Sequence, residues 1–252
     1  MTCLPAGRFN IHVPNKVVVV TGSAKGLGRE IALDFADRKF TVVVHYRKSE
    51  EAARDVLVRV RKKSPESIMI AANLTDEEVV SKVFDEVLKK LGRVDVLVNN
   101  VGDFLYKEFS KTTNAEFRDI VESNLYASLF CSRAVLPFMR KSKSGHIINI
   151  GSVGAETLTL RAKSAPYFMA KNAFYYLTKM MAWEEAKNGV HVNMVSPASM
   201  ATDIFKPEDF PMGRSAKYSD VVKVIRFLTS DDAYYINGAN IEVSGGFIPG
   251  MT

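Results

Sequence analysis

The stretch Lys16-Val17-Val18-Val19-Val20-Thr21-Gly22-Ser23-Ala24-Lys25-Gly26-Leu27-Gly28 decides the fold. Its run of valines reads as a strand buried on both faces. A glycine-rich turn follows, and from Leu27 to about Arg38 apolar residues recur at helical period, with Ile31, Leu33, Phe35 and Ala36 on one side. Strand, glycine turn and helix stand in the order a pyrophosphate site needs. Glycine lets the backbone turn sharply and approach a ligand, and a helix start offers unpaired N–H groups at the positive end of its dipole. The spacing TGxxxGxG is not the commonest of its kind, and a turn without a ligand competes with this reading.

The same alternation continues along the chain. Strands are expected at 16–21, 41–45, 67–72, 94–100, 146–152, 190–196 and 239–244. Amphipathic helices are expected at roughly 49–63, 76–91, 114–140, 166–188 and 218–230. Thr75-Asp76-Glu77-Glu78 looks like a helix start, with a capping residue and early carboxylates. Strands alternating with helices through short joins predict an α/β fold: one Rossmann-type, doubly wound, seven-stranded parallel sheet with helices on both faces. No linker, repeat or composition break divides residues 1–252, so a single domain is expected. The aperiodic segment 198–217 carries Pro207 and Pro211 and reads as a substrate lid, with a plain surface connection as the competing reading.

Composition narrows the function classes. Apolar residues make up 47% and charged residues 25%, which excludes a disordered chain. No apolar run approaches the length of a spanning helix, and the start MTCLPAGRFNIHVPN lacks the apolar core of a signal peptide. Cys3 and Cys131 are too few for a disulfide framework or a zinc site. His12, His45, His146 and His191 show no metal-ligand spacing, so no metal is expected. A soluble, cytoplasmic protein follows. The formal charge of +6 is spread along the chain without an arginine-rich tract, which argues against nucleic acid and leaves a mild preference for anionic ligands.

Two further stretches bear on chemistry. The end of the second strand meets the adenosine ribose in dinucleotide folds, and NAD sites place a carboxylate there. This chain has His45-Tyr46-Arg47-Lys48 instead, with no acid before Glu50. Arg47 and Lys48, with Lys25 in the glycine loop, would attract a 2′-phosphate, so NADP(H) is expected over NAD(H). Tyr167 and Lys171 stand at i and i+4 of one helix and share a face. Ser152 closes the fifth expected strand, and Asn124 lies inside the 114–140 helix, where a buried amide needs a reason.

Together these pieces resemble the classical short-chain dehydrogenase/reductases. TGSAKGLG (21–28), NNVG (99–102), Asn124, IGSVG (150–154), YFMAK (167–171), VNMVSP (192–197) and GANIEVSGG (238–246) occur in that family's order and near its spacing. The resemblance implies a Tyr167, Lys171, Ser152 and Asn124 catalytic set. Tyr167 would be the general acid, its pKa lowered by Lys171, with Ser152 holding the carbonyl oxygen. Lys171 would bind the nicotinamide ribose and Asn124 a relay water. It also implies cofactor contacts from Gly22, Ser23, Lys25, Gly26, Leu27, Gly28, Tyr46, Arg47, Lys48, Asn73, Leu74, Asn99, Val101, Gly102, Pro197, Ala198 and Thr202.

Asn73, Val101 and Ala198 depart from the family's usual Asp, Ala and Gly, and the loop 153–166 is longer than usual. The pattern most resembles the 3-oxoacyl-acyl-carrier-protein reductases, which implies a small-molecule or carrier-linked carbonyl substrate. The cluster Arg140, Lys141 and Lys143 is expected near the mouth, where it could meet an acidic carrier; a cationic helix end competes equally. Pterin, sugar and steroid carbonyls remain alternatives, as does a non-catalytic NADP(H)-binding scaffold. The resemblance further implies a homotetramer built through the 114–140 and 166–188 helices and the C-terminal end.

Overall fold

The computed structural model describes residues 15–157, 162–200 and 206–247. Seven strands form one parallel sheet in the order β3-β2-β1-β4-β5-β6-β7. They are β1 (Val17–Val20), β2 (Thr41–Tyr46), β3 (Ile68–Ala71), β4 (Val96–Asn99), β5 (Gly145–Ile150), β6 (Val190–Pro197) and β7 (Asn240–Val243). The helices are α1 (Gly26–Asp37), α2 (Glu50–Arg61), α3 (Glu77–Leu91), α4 (Asn114–Val121), α5 (Ala127–Ser142), α6 (Ala165–Glu185) and α7 (Tyr218–Leu228).

Alternation along each strand assigns its side chains to two cores. Val18, Val20, Val96, Val98 and Ile148 face α1, α2 and α7, where Ile31, Phe35, Val60 and Ile225 are buried. Val17, Val19, Leu97 and Ile147 face α3, α5 and α6, where Phe84, Val135, Met139 and Met181 are buried. Burial on both faces explains why the strands are unbroken apolar runs. The order reverses around β1, which lies between β2 and β4, so the carboxyl ends of β1 and β4 open a crevice of the kind that binds ligands in such sheets.

The expected elements form, with two local differences. The helix expected at 114–140 is interrupted by a π-helical turn, Glu122–Tyr126, that joins α4 to α5. Asn124 sits in that turn, and its Nδ2 donates to the Ile120 and Asp103 carbonyls at 2.9 and 2.8 Å. The capped start expected within 75–78 forms as read: Asp76 caps α3, its carboxylate accepting from the Val79 N–H. β5 ends at Ile150, so Ser152 lies just beyond the strand and not at its last position.

Candidate active site

The glycine loop is cross-linked to the ends of three strands. Thr21 Oγ1 accepts from the Asn100 N–H at 2.8 Å and the Val101 N–H at 3.1 Å. Asn100 Nδ2 donates to the Thr21 carbonyl at 2.9 Å. His45 Nδ1 accepts from the Gly22 N–H at 2.9 Å, and its Nε2 meets the Ala72 carbonyl at 3.1 Å, so Nε2 carries the proton. Burial pushes the His45 pKa down to about 4, which keeps this neutral tautomer in place. Gly22 and Gly26 have φ of +64° and +53°. A Cβ on Gly28 would lie 2.5 Å from the Gly22 carbonyl oxygen and 2.6 Å from Asn100 Nδ2. The loop thus folds down onto the first turn of α1 and leaves its N-terminus facing the crevice.

Around this loop stand the other expected cofactor residues. Lys25 is exposed at the N-cap of α1. Tyr46 is half-buried at the end of β2, and Arg47 and Lys48 are exposed just beyond it. Asn73 is exposed after β3 and accepts from Thr75 Oγ1, while the Leu74 side chain is buried in the core. Ser23 and Leu27 are buried beneath the loop. Thr202 lies outside the described residues.

Asn99 is placed differently from its expected role. Its side chain is buried under the sheet, where Nδ2 donates to Asn149 Oδ1 at 2.9 Å and Ser132 Oγ at 3.1 Å. Asn149 in turn donates to Thr178 Oγ1 at 2.9 Å, so the network ties α5 to α6. The cause is strand alternation: Asn99 shares the face of Leu97, and the next residue, Asn100, turns toward the glycine loop.

The catalytic candidates converge beyond β4, β5 and β6. A cavity of about 340 Å³ is lined by Asn100, Asn124, Ser152, Tyr167, Lys171 and Ala198 among others. Pro197 and Gly102 also line it. Lys171 is buried, its Nζ donates to the Ile150 carbonyl at 2.8 Å, and burial lowers its pKa to about 7. That nitrogen lies 5.6 Å from the Tyr167 ring centroid. A Cβ on Gly102 would lie 2.3 Å from Asn124 Oδ1 and 3.5 Å from Lys171 Nζ, so only glycine fits between them. Asn124 Oδ1 is buried with no hydrogen-bond partner among the described residues, an orphan acceptor beside the lysine.

The turn that carries Ser152 is held from outside the expected set. Val153 N–H donates to the Pro197 carbonyl, Gly154 N–H to Glu242 Oε1 at 2.8 Å, and Asn172 Nδ2 to the Ala155 carbonyl at 2.7 Å. Glu242, Asn100 and His45 are thus supporting residues that the sequence did not single out. Strand alternation would have identified His45 and Asn100, but nothing local marks Glu242.

One expectation about the surroundings changes. The cluster Arg140, Lys141 and Lys143 lies at the amino edge of the sheet, opposite the cavity, because α5 ends where β5 begins. Arg140 there pairs with Glu185, and Lys143 Nζ donates to Asn188. Within 198–217, Phe210 is buried against Ala198, Val153 and Phe247, so this part packs over the Ser152 turn; residues 201–205, and 248–252 of the C-terminal end, lie outside the described residues. A larger cavity of about 620 Å³ opens on α4 and α5 around Phe117, Arg118 and Phe130 and contains none of the catalytic candidates.

Comparison with known proteins agrees with this geometry. The profile of the family described as short chain dehydrogenase matches residues 16–210. The chain is 35% identical over 243 residues to the 3-oxoacyl-[acyl-carrier-protein] reductase FabG of Staphylococcus epidermidis, covering 92% of this chain and 98% of that protein. It is 34% identical over 244 residues to meso-2,3-butanediol dehydrogenase of Serratia marcescens, covering 92% and 94%. The acetoin dehydrogenase YohF from Salmonella typhimurium superposes with a TM-score of 0.85 at 28% identity, covering 92% of this chain and 96% of that one. With its glycine loop, its parallel sheet and its Tyr167–Lys171 cavity, this chain belongs to the short-chain dehydrogenase family of oxidoreductases.

Proposed function

We propose that the protein is an NADPH-dependent carbonyl reductase acting on a 3-oxoacyl thioester carried by an acyl carrier protein. The observation that carries the reading is the buried Lys171 amine, with Tyr167, Ser152 and the orphan acceptor of Asn124 in one cavity beside the glycine loop. The residues present suit a dinucleotide. Gly28 lets the glycine loop pack tightly onto α1, the α1 N-terminus faces the crevice, and Arg47 and Lys48 offer exposed positive charge where a 2′-phosphate would lie. When bound, the cofactor supplies hydride to the carbonyl carbon.

The chain's own residues supply the rest. Ser152 donates to the carbonyl oxygen and fixes it within reach of Tyr167. Tyr167 hands its phenolic proton to that oxygen as negative charge develops there. Lys171 lies close enough to favour the phenolate electrostatically, and holding the amine against the Ile150 carbonyl keeps it from swinging away. Asn124 Oδ1 is placed to hold a water that returns a proton to Lys171.

The relatives leave a second substrate reading, a small diol or hydroxyketone, because the Serratia and Salmonella proteins are named for butanediol and acetoin. The displaced basic cluster lends no support to carrier docking at the mouth, so the thioester reading rests on the closeness of the FabG sequences. We further take residues 1–252 as one domain of a cytoplasmic homotetramer. The stripe of exposed Met169, Tyr176, Met180 and Trp183 on α6 favours such burial.

The test is NADPH oxidation with 3-oxoacyl thioesters. Tyr167→Phe should lower kcat by about 10²–10⁴-fold with NADPH affinity unchanged. Replacing Arg47 and Lys48 together by Glu should invert the preference for NADPH over NADH. Near-wild-type turnover in the first variant, or an unchanged cofactor preference in the second, would reject the corresponding part of the reading.

A further inference from the structure

Phe104 is more than half exposed, at 53%, yet it is not a stray surface residue. A single exposed aromatic ring is ordinary on a protein surface and by itself implies nothing. This one stands edge-on to the Tyr167 ring, with centroids 4.9 Å apart and planes at 85°, and it lines the same cavity as Ser152 and Lys171. Its segment has no regular secondary structure but is pinned on both sides. On one side Asp103 N–H donates to Ser123 Oγ, and the Asp103 carbonyl accepts from Asn124 Nδ2 at 2.8 Å. On the other, Lys107 N–H donates to the Lys163 carbonyl at 2.6 Å, and Lys107 Nζ pairs with Glu116 at 2.8 Å. The ring is therefore presented to the mouth by the same π-helical turn that holds Asn124.

We propose that Phe104 is a specificity-determining residue that reads the apolar arm attached to the reacting carbonyl. With the carbonyl oxygen at Tyr167 and Ser152, the arm leaves the cavity along the exposed half of Phe104. Phe168 and Met200 supply further apolar lining. The substrate class this favours is a carbonyl compound bearing an unbranched aliphatic chain of several carbons. A two-carbon arm would cover less of the ring than a longer one. The inference rests on the reductase reading and chooses between its two substrate classes.

The experiment compares wild type, Phe104→Ala and Phe104→Leu on two series of four, six and eight carbons, 3-oxoacyl N-acetylcysteamine thioesters and methyl ketones. The readout is NADPH oxidation, with kcat and KM separated and thermal melts confirming folding. Each methylene that covers the ring should raise kcat/KM by about fourfold. Wild type should therefore gain more than tenfold across a series, expressed mainly in KM. Phe104→Ala should flatten the gain to less than about threefold, and Phe104→Leu should retain most of it. A chain-length profile unchanged in Phe104→Ala, or absent in wild type, would overturn the role of the ring. A ring-dependent profile on ketones with no thioester reduction keeps the role and rejects the thioester reading. No turnover on either series rejects the reductase reading and this inference with it.

Discussion

Lys171 offers a prediction in which stability and activity move in opposite directions. The amine is fully enclosed, with one hydrogen bond to the Ile150 carbonyl, and its pKa falls from 10.5 to about 7 because burial disfavours the charged form. In the unfolded chain it returns to its ordinary value. Between about pH 7 and 10.5 the unfolded state therefore holds a proton that the folded state lacks, and stability rises with pH across that window. Its contribution is fully present above the upper value and is lost as pH falls to about 7. The gap amounts to about 5 kcal/mol against the folded cofactor-free protein at acid pH.

Lys171→Met keeps an unbranched stem and removes the ammonium. It also strips the Ile150 carbonyl of its donor, at a cost of about 1–3 kcal/mol. The variant should thus be about 2–4 kcal/mol more stable than wild type at pH 6, and about 0–2 kcal/mol less stable at pH 10, where about 1 kcal/mol of the burial penalty persists. In a protein of this size the acid-side gain corresponds to a rise in Tm of about 5–10 °C. Denaturant melts of cofactor-free protein at pH 6, 7.5, 9 and 10 would trace the crossing, and NADPH oxidation should be lost throughout. A variant that is less stable at every pH, with no crossing, would refute the claim that the lysine is buried at the expense of folding.

Two more outcomes follow from the glycine loop. Gly28→Ala puts a Cβ 2.5 Å from a backbone oxygen that cannot swing aside, so NADPH affinity by fluorescence titration should fall about ten- to hundredfold while the circular dichroism spectrum is retained; unchanged affinity would mean the loop is not the phosphate cradle. His45 titrates in the unfolded state near 6.5 and in the folded state near 4, so it contributes full stability above the first value and loses it on the way down. From pH 6.5 to 5 that loss is about 2 kcal/mol. His45→Gln, whose amide oxygen can still accept from Gly22, should lose correspondingly less, while His146, also held near 4, contributes equally to both proteins. Parallel acid profiles would refute the assignment.

The sheet was legible because its strands are buried on both faces and its turns carry glycine and caps. Runs such as Val17–Val20 leave little room for another reading, and α3 announces itself by Asp76 and early glutamates. The catalytic candidates stand out in the sequence as a pattern, and the folded chain brings Asn124, Ser152, Tyr167 and Lys171 around one cavity. Less was visible where a role depends on partners far along the chain. The π-helical turn at Asn124 depends on the Asp103 carbonyl. The hold on the Ser152 turn depends on Glu242, a residue 88 positions from Gly154.

Two of the misplacements share one cause, which is that position in a parallel sheet has a sign. Asn99 and Asn100 are chemically identical and adjacent, yet the two-residue period of the strand buries the first between α5 and α6 and sends the second to the glycine loop. The same reasoning applies along the strand axis. A residue that precedes a strand lies at the amino edge, and one that follows it lies at the carboxyl edge, where ligands bind. Arg140, Lys141 and Lys143 precede β5, whereas Ser152 follows it, so the length of the strand, about 20 Å, separates a cluster and a serine that sequence distance alone makes neighbours. Phe104 follows β4 and lies on the side of the chemistry by the same rule, which is why its ring meets Tyr167 while the cationic cluster does not.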